Sequence, residues 1–194
     1  MVASPKLLKI IDWTIHSIRF FKDNFLIIFG LGLIAAFGRA IQLGAFGAIT
    51  SPENISLEVM VESARLLIFL YALGLTNIRT GAARLVQFFT DKRSRARSWQ
   101  SARQNLRTRW LPIIINLVVF LVLAFLINRF INHIAYETCM YAKLKAGSLI
   151  SQQASIWALI LFFKNISIIP FTLIFNALFF LWINDRLPRF PAYN

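Results

Sequence analysis

Hydrophobic positions fall into long uncharged runs parted by short polar stretches. Phe25 to Gly38 carries no charge; Arg39 interrupts it, and AIQLGAFGAIT follows. At 1.5 Å per residue the uncharged part covers only about 20 Å of a ~30 Å hydrocarbon core, so the helix is expected to continue to near Ile49. Ser51-Pro52-Glu53-Asn54 is a turn signal. A second run extends from about Leu57 to Ile78, with Glu58, Glu62 and Arg65 in its first half, and Thr80-Gly81 ends it. A third begins at Trp110, tolerates Pro112 in its first turn, and stays uncharged to Asn128. The last, Leu149 to Asn184, is polar at first and strongly apolar afterwards, with Pro170 as a candidate kink.

Residues 5–24 follow a different period. Lys9, Asp12, His16, Arg19 and Asp23 recur at spacings of three and four, with Leu7, Leu8, Ile10, Ile11, Ile15, Ile18 and Phe21 on the other face. Such a helix lies in the headgroup plane, and His16 reads as a surface histidine. The pattern predicts an all-α integral membrane protein: about four transmembrane helices as two hairpins, plus an N-terminal amphipathic interfacial helix. The segments are 1–24 (interfacial helix), 25–78 (first hairpin), 79–109 (basic connection), 110–184 (second hairpin) and 185–194 (tail).

Folding the second hairpin about Gly147 levels Asn128 and Arg129 with Lys164 and Asn165, Trp110 with Trp182, and Asn116 with Asn176. This predicts an amide pair between Asn116 and Asn176. It also predicts a hairpin that projects roughly 20 Å beyond the outer surface. The alternative is a short third span, a loop and a surface helix.

Charge supplies the orientation. Residues 79–110 hold nine Lys/Arg against one acid, Asp91, within a chain of net charge +13. With both termini inside, the inner side carries about fifteen Lys/Arg: four near the N-terminus, nine in the connection and two in the tail. The outer loops carry about three. The positive-inside rule places both termini on the cytoplasmic (or matrix) side. It accounts for the basic character without nucleic acid, which is not expected as a partner. Lys92, Arg93, Arg95 and Arg97 are expected to contact anionic headgroups of the bilayer. Bacterial plasma membrane is the default; mitochondrial inner membrane also fits. No cleavable signal peptide is read in the first 24 residues, and the single Cys139 excludes an internal disulfide.

Candidate chemistry is thin. Gly32, Ala36, Ala40, Gly44 and Ala48, four apart, form a ridge of small residues for close helix packing. A hairpin centred on Pro52 sets Arg39 opposite Arg65 with Glu62 a turn away. Two guanidinium groups at one depth repel unless an acid bridges them, which predicts an Arg39–Glu62–Arg65 cluster. The other reading has both arginines snorkelling to the interface. His133 and Glu137 form an ion pair four apart, and a zinc site needs three or four ligands. Asn54-Ile-Ser56 and Asn165-Ile-Ser167 match the glycosylation pattern. No cofactor, metal or catalytic set is expected. The reading is a non-enzymatic structural or assembly subunit, with other membrane-protein subunits or copies of itself as partners. The alternative is a small transporter or channel for an anionic or lipid substrate that uses the Arg/Glu cluster.

Overall fold

The computed structural model describes residues 11–187. Their elements are all helices: α1 Asp12–Asp23, α2 Phe25–Gln42, α3 Ser51–Leu73, α4 Ile78–Thr90, α5 Lys92–Thr108, α6 Trp110–Glu137, α7 Met140–Ala146, α8 Ile156–Ile166 and α9 Ile168–Ile183. Three stretches are long and apolar enough to cross a membrane: Phe25–Gln42, Trp110–Glu137 and Ile156–Ile183. A fourth arises if α3 and α4, bent by 89°, count as one broken span. The residues expected in the first part of the amphipathic helix (Leu7 to Ile10) and the end of the tail (188–194) lie outside the described residues.

Helices α2, α3 and the α8–α9 pair form the central bundle. Its core is Ile28 of α2, Ile68, Tyr71 and Leu73 of α3, and Ile174, Leu178 and Leu181 of α9. Burial of such aliphatic side chains is worth about 1.5–3 kcal/mol each in a water-soluble protein. Where such helices lie within a membrane, dispersion and close packing carry the contact instead.

The first apolar helix, α2, ends earlier than its hydropathy predicts. Gln42 is its last residue, and Gly44 (φ 74°) and Gly47 (φ 115°) take left-handed conformations in the connection. Only glycine adopts these at little cost, so the glycines stop the helix. The expected turn at Ser51–Asn54 is instead the first turn of α3. The Glu53 carboxylate accepts from the Thr50 backbone N–H at 2.7 Å and from its hydroxyl at 2.9 Å, and Pro52 sits where a missing N–H costs nothing.

The other end of α3 also differs from expectation: it stops at Leu73, not at Ile78. Leu75 and Thr76 have φ 49° and 80°, and the chain turns into α4. The elbow is closed by two glycines. A Cβ on Gly81 would lie 1.9 Å from the Leu70 carbonyl oxygen, and one on Gly74 would lie 1.9 Å from that of Asn77. Arg84 Nη1 donates to the Leu73 carbonyl at 2.6 Å and satisfies the helix end. Gly81 therefore packs two helices together and terminates neither.

The second hairpin does not stand clear of the first. After the 28-residue α6, Cys139 (φ 54°) reverses the chain, and α7 folds back beside Ile131 and Ile160. Ser151 N–H donates to the Ala45 carbonyl at 2.7 Å, so the two hairpin connections meet at one level. Apolar residues of α7 and the following loop drive this return: Met140, Tyr141 and Leu144 pack on Ile131 and Leu159, and Ile150 packs on Ala40 and Ala45.

Helix α1 is part of the core. Trp13 is wholly buried among Phe175, Phe179 and Trp182, with ring centroids 4.7–5.5 Å away. Thr14, His16, Ser17 and Phe20 are buried with it, while Ile18, expected on the apolar face, is exposed. This corrects the surface reading of His16. The face set by Trp13, His16 or Ser17, and Phe20 wins because an indole buries more area than any aliphatic side chain in that helix.

Candidate functional site

Arg39 lies in the last turn of α2, beside Gly38, where a Cβ would meet Val61 Cγ2 at 2.6 Å. The glycine lets α3 approach closely enough for its carboxylates to reach. Arg39 Nη1 and Nη2 donate to the two oxygens of Glu58 at 2.6 and 2.9 Å, a bidentate pair. Nη2 also donates to Glu62 Oε1 at 2.9 Å, and that same oxygen accepts from Arg65 Nη1 at 2.5 Å. Glu62 thus bridges the two arginines. Gln42 joins through Arg39 Nη1 at 2.9 Å and donates to Glu58 and Asn54.

Arg65 reaches further. Its Nε and Nη2 donate to Asn165 Oδ1 at 3.2 and 2.8 Å, and Asn165 Nδ2 donates to the Leu161 carbonyl at 2.7 Å. Asn165 is 1% exposed, so it is not presented as a glycan acceptor. The network therefore links α2, α3 and α8. Its two arginines and two glutamates sum to no net charge. The arginine side chains are 22% and 19% exposed, and the carboxylates about half exposed. An anionic ligand at this position has to displace a carboxylate that both guanidinium groups already hold.

Of the expected small-residue ridge, Gly32, Ala36 and Ala40 lie within α2 and are buried. A Cβ on Gly32 would lie 2.9 Å from the Asn165 carbonyl oxygen, so this part of the ridge admits α8. Gly44 and Ala48 fall in the connection after α2 and are not part of a helix face.

The expected amide pair is absent: Asn176 is exposed, whereas Asn116 is 1% exposed. Asn116 Oδ1 instead accepts from the Thr14 backbone N–H at 3.0 Å and its hydroxyl at 2.7 Å, and Nδ2 donates to the Pro112 carbonyl. The hairpin fold fixes the height of Asn116 but not its rotation, and α1 occupies the place beside it.

Three polar residues lie outside the cluster expected from the sequence. Centring the hairpin on Pro52 sets Glu58 level with Phe46, about two turns beyond Arg39; the true connection is Leu43 to Thr50. Asn165 is expected level with Asn128 and Arg129, with no partner assigned on α3. Asn105 donates to the Ile183 carbonyl and to Asp185 at 2.8 Å each, while Arg109 pairs with Asp185 at 3.2 Å. Asn105 is one of three amides in α5, with Gln100 and Gln104, and only its place in line with Ser94 and Ser98 sets it apart.

Lys92, Arg93, Arg95 and Arg97 are all exposed on α5, whose N-terminus is capped by Asp91. His133 Nδ1 lies 2.7 Å from Glu137, and both are exposed. Among the described residues no group of three His, Cys, Asp or Glu side chains has metal-binding geometry. Comparison with protein-family models, with curated proteins and with solved structures found no match.

Proposed function

We propose that this chain is a non-enzymatic integral membrane protein and a structural or assembly subunit of a larger membrane complex. The observation that carries this reading is the closed network Arg39–Glu58–Glu62–Arg65–Asn165. Its charged groups satisfy one another and tie three helices together, an arrangement suited to holding shape. The long helix α6 supports the reading. It packs on the rest of the chain through Ile113, Asn116, Phe120, Ile131 and Ala135. Beside that stripe, on an adjoining side of the helix, Leu117, Val118, Leu121, Val122 and Phe125 are exposed. This face is available to lipid and to a neighbouring subunit.

In this reading both termini lie on the cytoplasmic (or matrix) side. The Asn105–Ile183 and Arg109–Asp185 contacts bring the end of the basic connection to the end of α9, and the positive-inside rule assigns that end to the inner side. Helix α1 sits at the same end with its outer face toward headgroups.

A transporter of anions is the competing function. It is separated by substituting Glu62 with Lys. If the variant folds and assembles but loses solute flux in proteoliposomes, transport is supported. If it loses stability and complex formation together, the network is structural.

A further inference from the structure

Helix α5 holds six Lys/Arg and no acid. At 3.6 residues per turn, Lys92, Arg95, Trp99, Arg103 and Leu106, spaced three or four apart, share a sector of about 80°. The buried Ser94, Ser98 and Asn105 are centred about 120° away on the same wheel. Arg93 and Arg97 lie outside the stripe. Trp99 is 72% exposed and Leu106 is 49% exposed. Among the described residues no carboxylate pairs with the three cations of the stripe.

A basic run on a solvated face has no use for an exposed indole and leucine set between its cations. At a bilayer surface the combination is favourable. The indole and leucine enter the headgroup boundary, and the arginine stems reach anionic phosphates. The neighbouring helix points the same way. Helix α4 runs across the bundle, bent 89° from α3, with Val86 and Phe89 exposed on one side.

We propose that the stripe Lys92–Arg95–Trp99–Arg103–Leu106 is a docking edge that seats α5 on anionic lipid of the inner leaflet. Trp99 and Leu106 are its apolar anchors, and Lys92, Arg95 and Arg103 are its headgroup contacts. The proposal rests on the membrane reading of the chain. It narrows the lipid-contact set, because Arg93 and Arg97 carry equal charge but face elsewhere.

The test uses the full-length chain in nanodiscs of phosphatidylcholine with or without phosphatidylglycerol. In a Cys139→Ser background, a spin label is placed by Trp99→Cys or, as a reference off the stripe, by Gln100→Cys. Access of water-soluble nickel and of oxygen is then measured. The expected result is that position 99 becomes nickel-protected and oxygen-rich only with anionic lipid, while position 100 stays open to nickel. Arg95→Gln with Arg103→Gln lowers the ratio of docked to undocked helix roughly thirtyfold; Arg93→Gln with Arg97→Gln changes it much less. Equal nickel access at both positions in both lipids overturns the proposal, as does protection that is indifferent to anionic lipid or to which arginine pair is removed. A chain that stays in the disc with α5 undocked leaves the membrane reading intact.

Discussion

Asn165 Oδ1 accepts two hydrogen bonds from Arg65, at 2.8 and 3.2 Å, and so joins the middle of α3 to the junction of α8 and α9. The amide serves as the neutral end of a charged network. Its loss leaves part of a mostly buried guanidinium without an acceptor. Asn165→Leu is expected to lower stability by about 2 kcal/mol, since hydrogen bonds to charged groups are worth roughly that amount. Thermal unfolding in detergent measures it. An unchanged midpoint would show that Arg65 finds water or Glu62 instead.

The close approach of α2 to α8 depends on Gly32. In Gly32→Ala the new Cβ meets backbone atoms of Asn165 and Ile166 at 2.9 and 3.3 Å, and neither can swing away. A cost of about 1–3 kcal/mol is expected. Gly30→Ala is the control: nothing lies within 4 Å of its added Cβ. It should be neutral or stabilising by up to about 1 kcal/mol through better helix propensity. Equal effects of the two variants in the same unfolding assay would remove the packing argument.

The α3–α4 elbow should be the least tolerant point in the chain. Gly81→Ala places a Cβ 1.9 Å from the Leu70 carbonyl oxygen, so the helices must part. The loss is expected at about 3 kcal/mol or more. A distance measured between labels on exposed Val59 and Val86 should change with it. A folded variant with an unaltered distance contradicts the geometry.

His16 gives the fold a pH dependence. Burial opposes its charged form, but the Asp12 carboxylate at 3.1 Å and the Asp12 carbonyl at 2.6 Å outweigh burial and the repulsion of Arg19, and the pKa is raised above 6.5. A raised folded-state value means that protonation favours the fold. The contribution is therefore complete below about pH 6.5 and is lost as pH rises through the folded value. Unfolding midpoints recorded from pH 5 to 9 should fall across that window, and Asp12→Asn should flatten the profile. A stability that rises with pH in that range would show the opposite linkage.

The sequence carried the helical class and most of the apolar runs, because runs of Phe, Leu and Ile free of charge are a one-dimensional signal. It also carried the need for an acid between Arg39 and Arg65, because like charges in low dielectric leave few alternatives. What it did not carry is rotation and register. Asn116 was placed at the right height but with the wrong neighbour. Glu58 falls outside the expected cluster because turn residues at Ser51–Asn54 set the hairpin register, whereas Gly44 and Gly47 are the terminators. Trp13 decided the buried face of α1 by its contact with three rings of α9, and no local period within α1 reports a contact made with residues so far along the chain.

The central claim is that this chain is one part of a membrane complex, and the mass of the intact particle tests it most directly. The chain would be purified at native expression level in nanodiscs or gentle detergent and its mass determined. The account predicts a particle of fixed stoichiometry that contains at least one other membrane protein. A lone monomer, or an assembly of this chain alone, contradicts it.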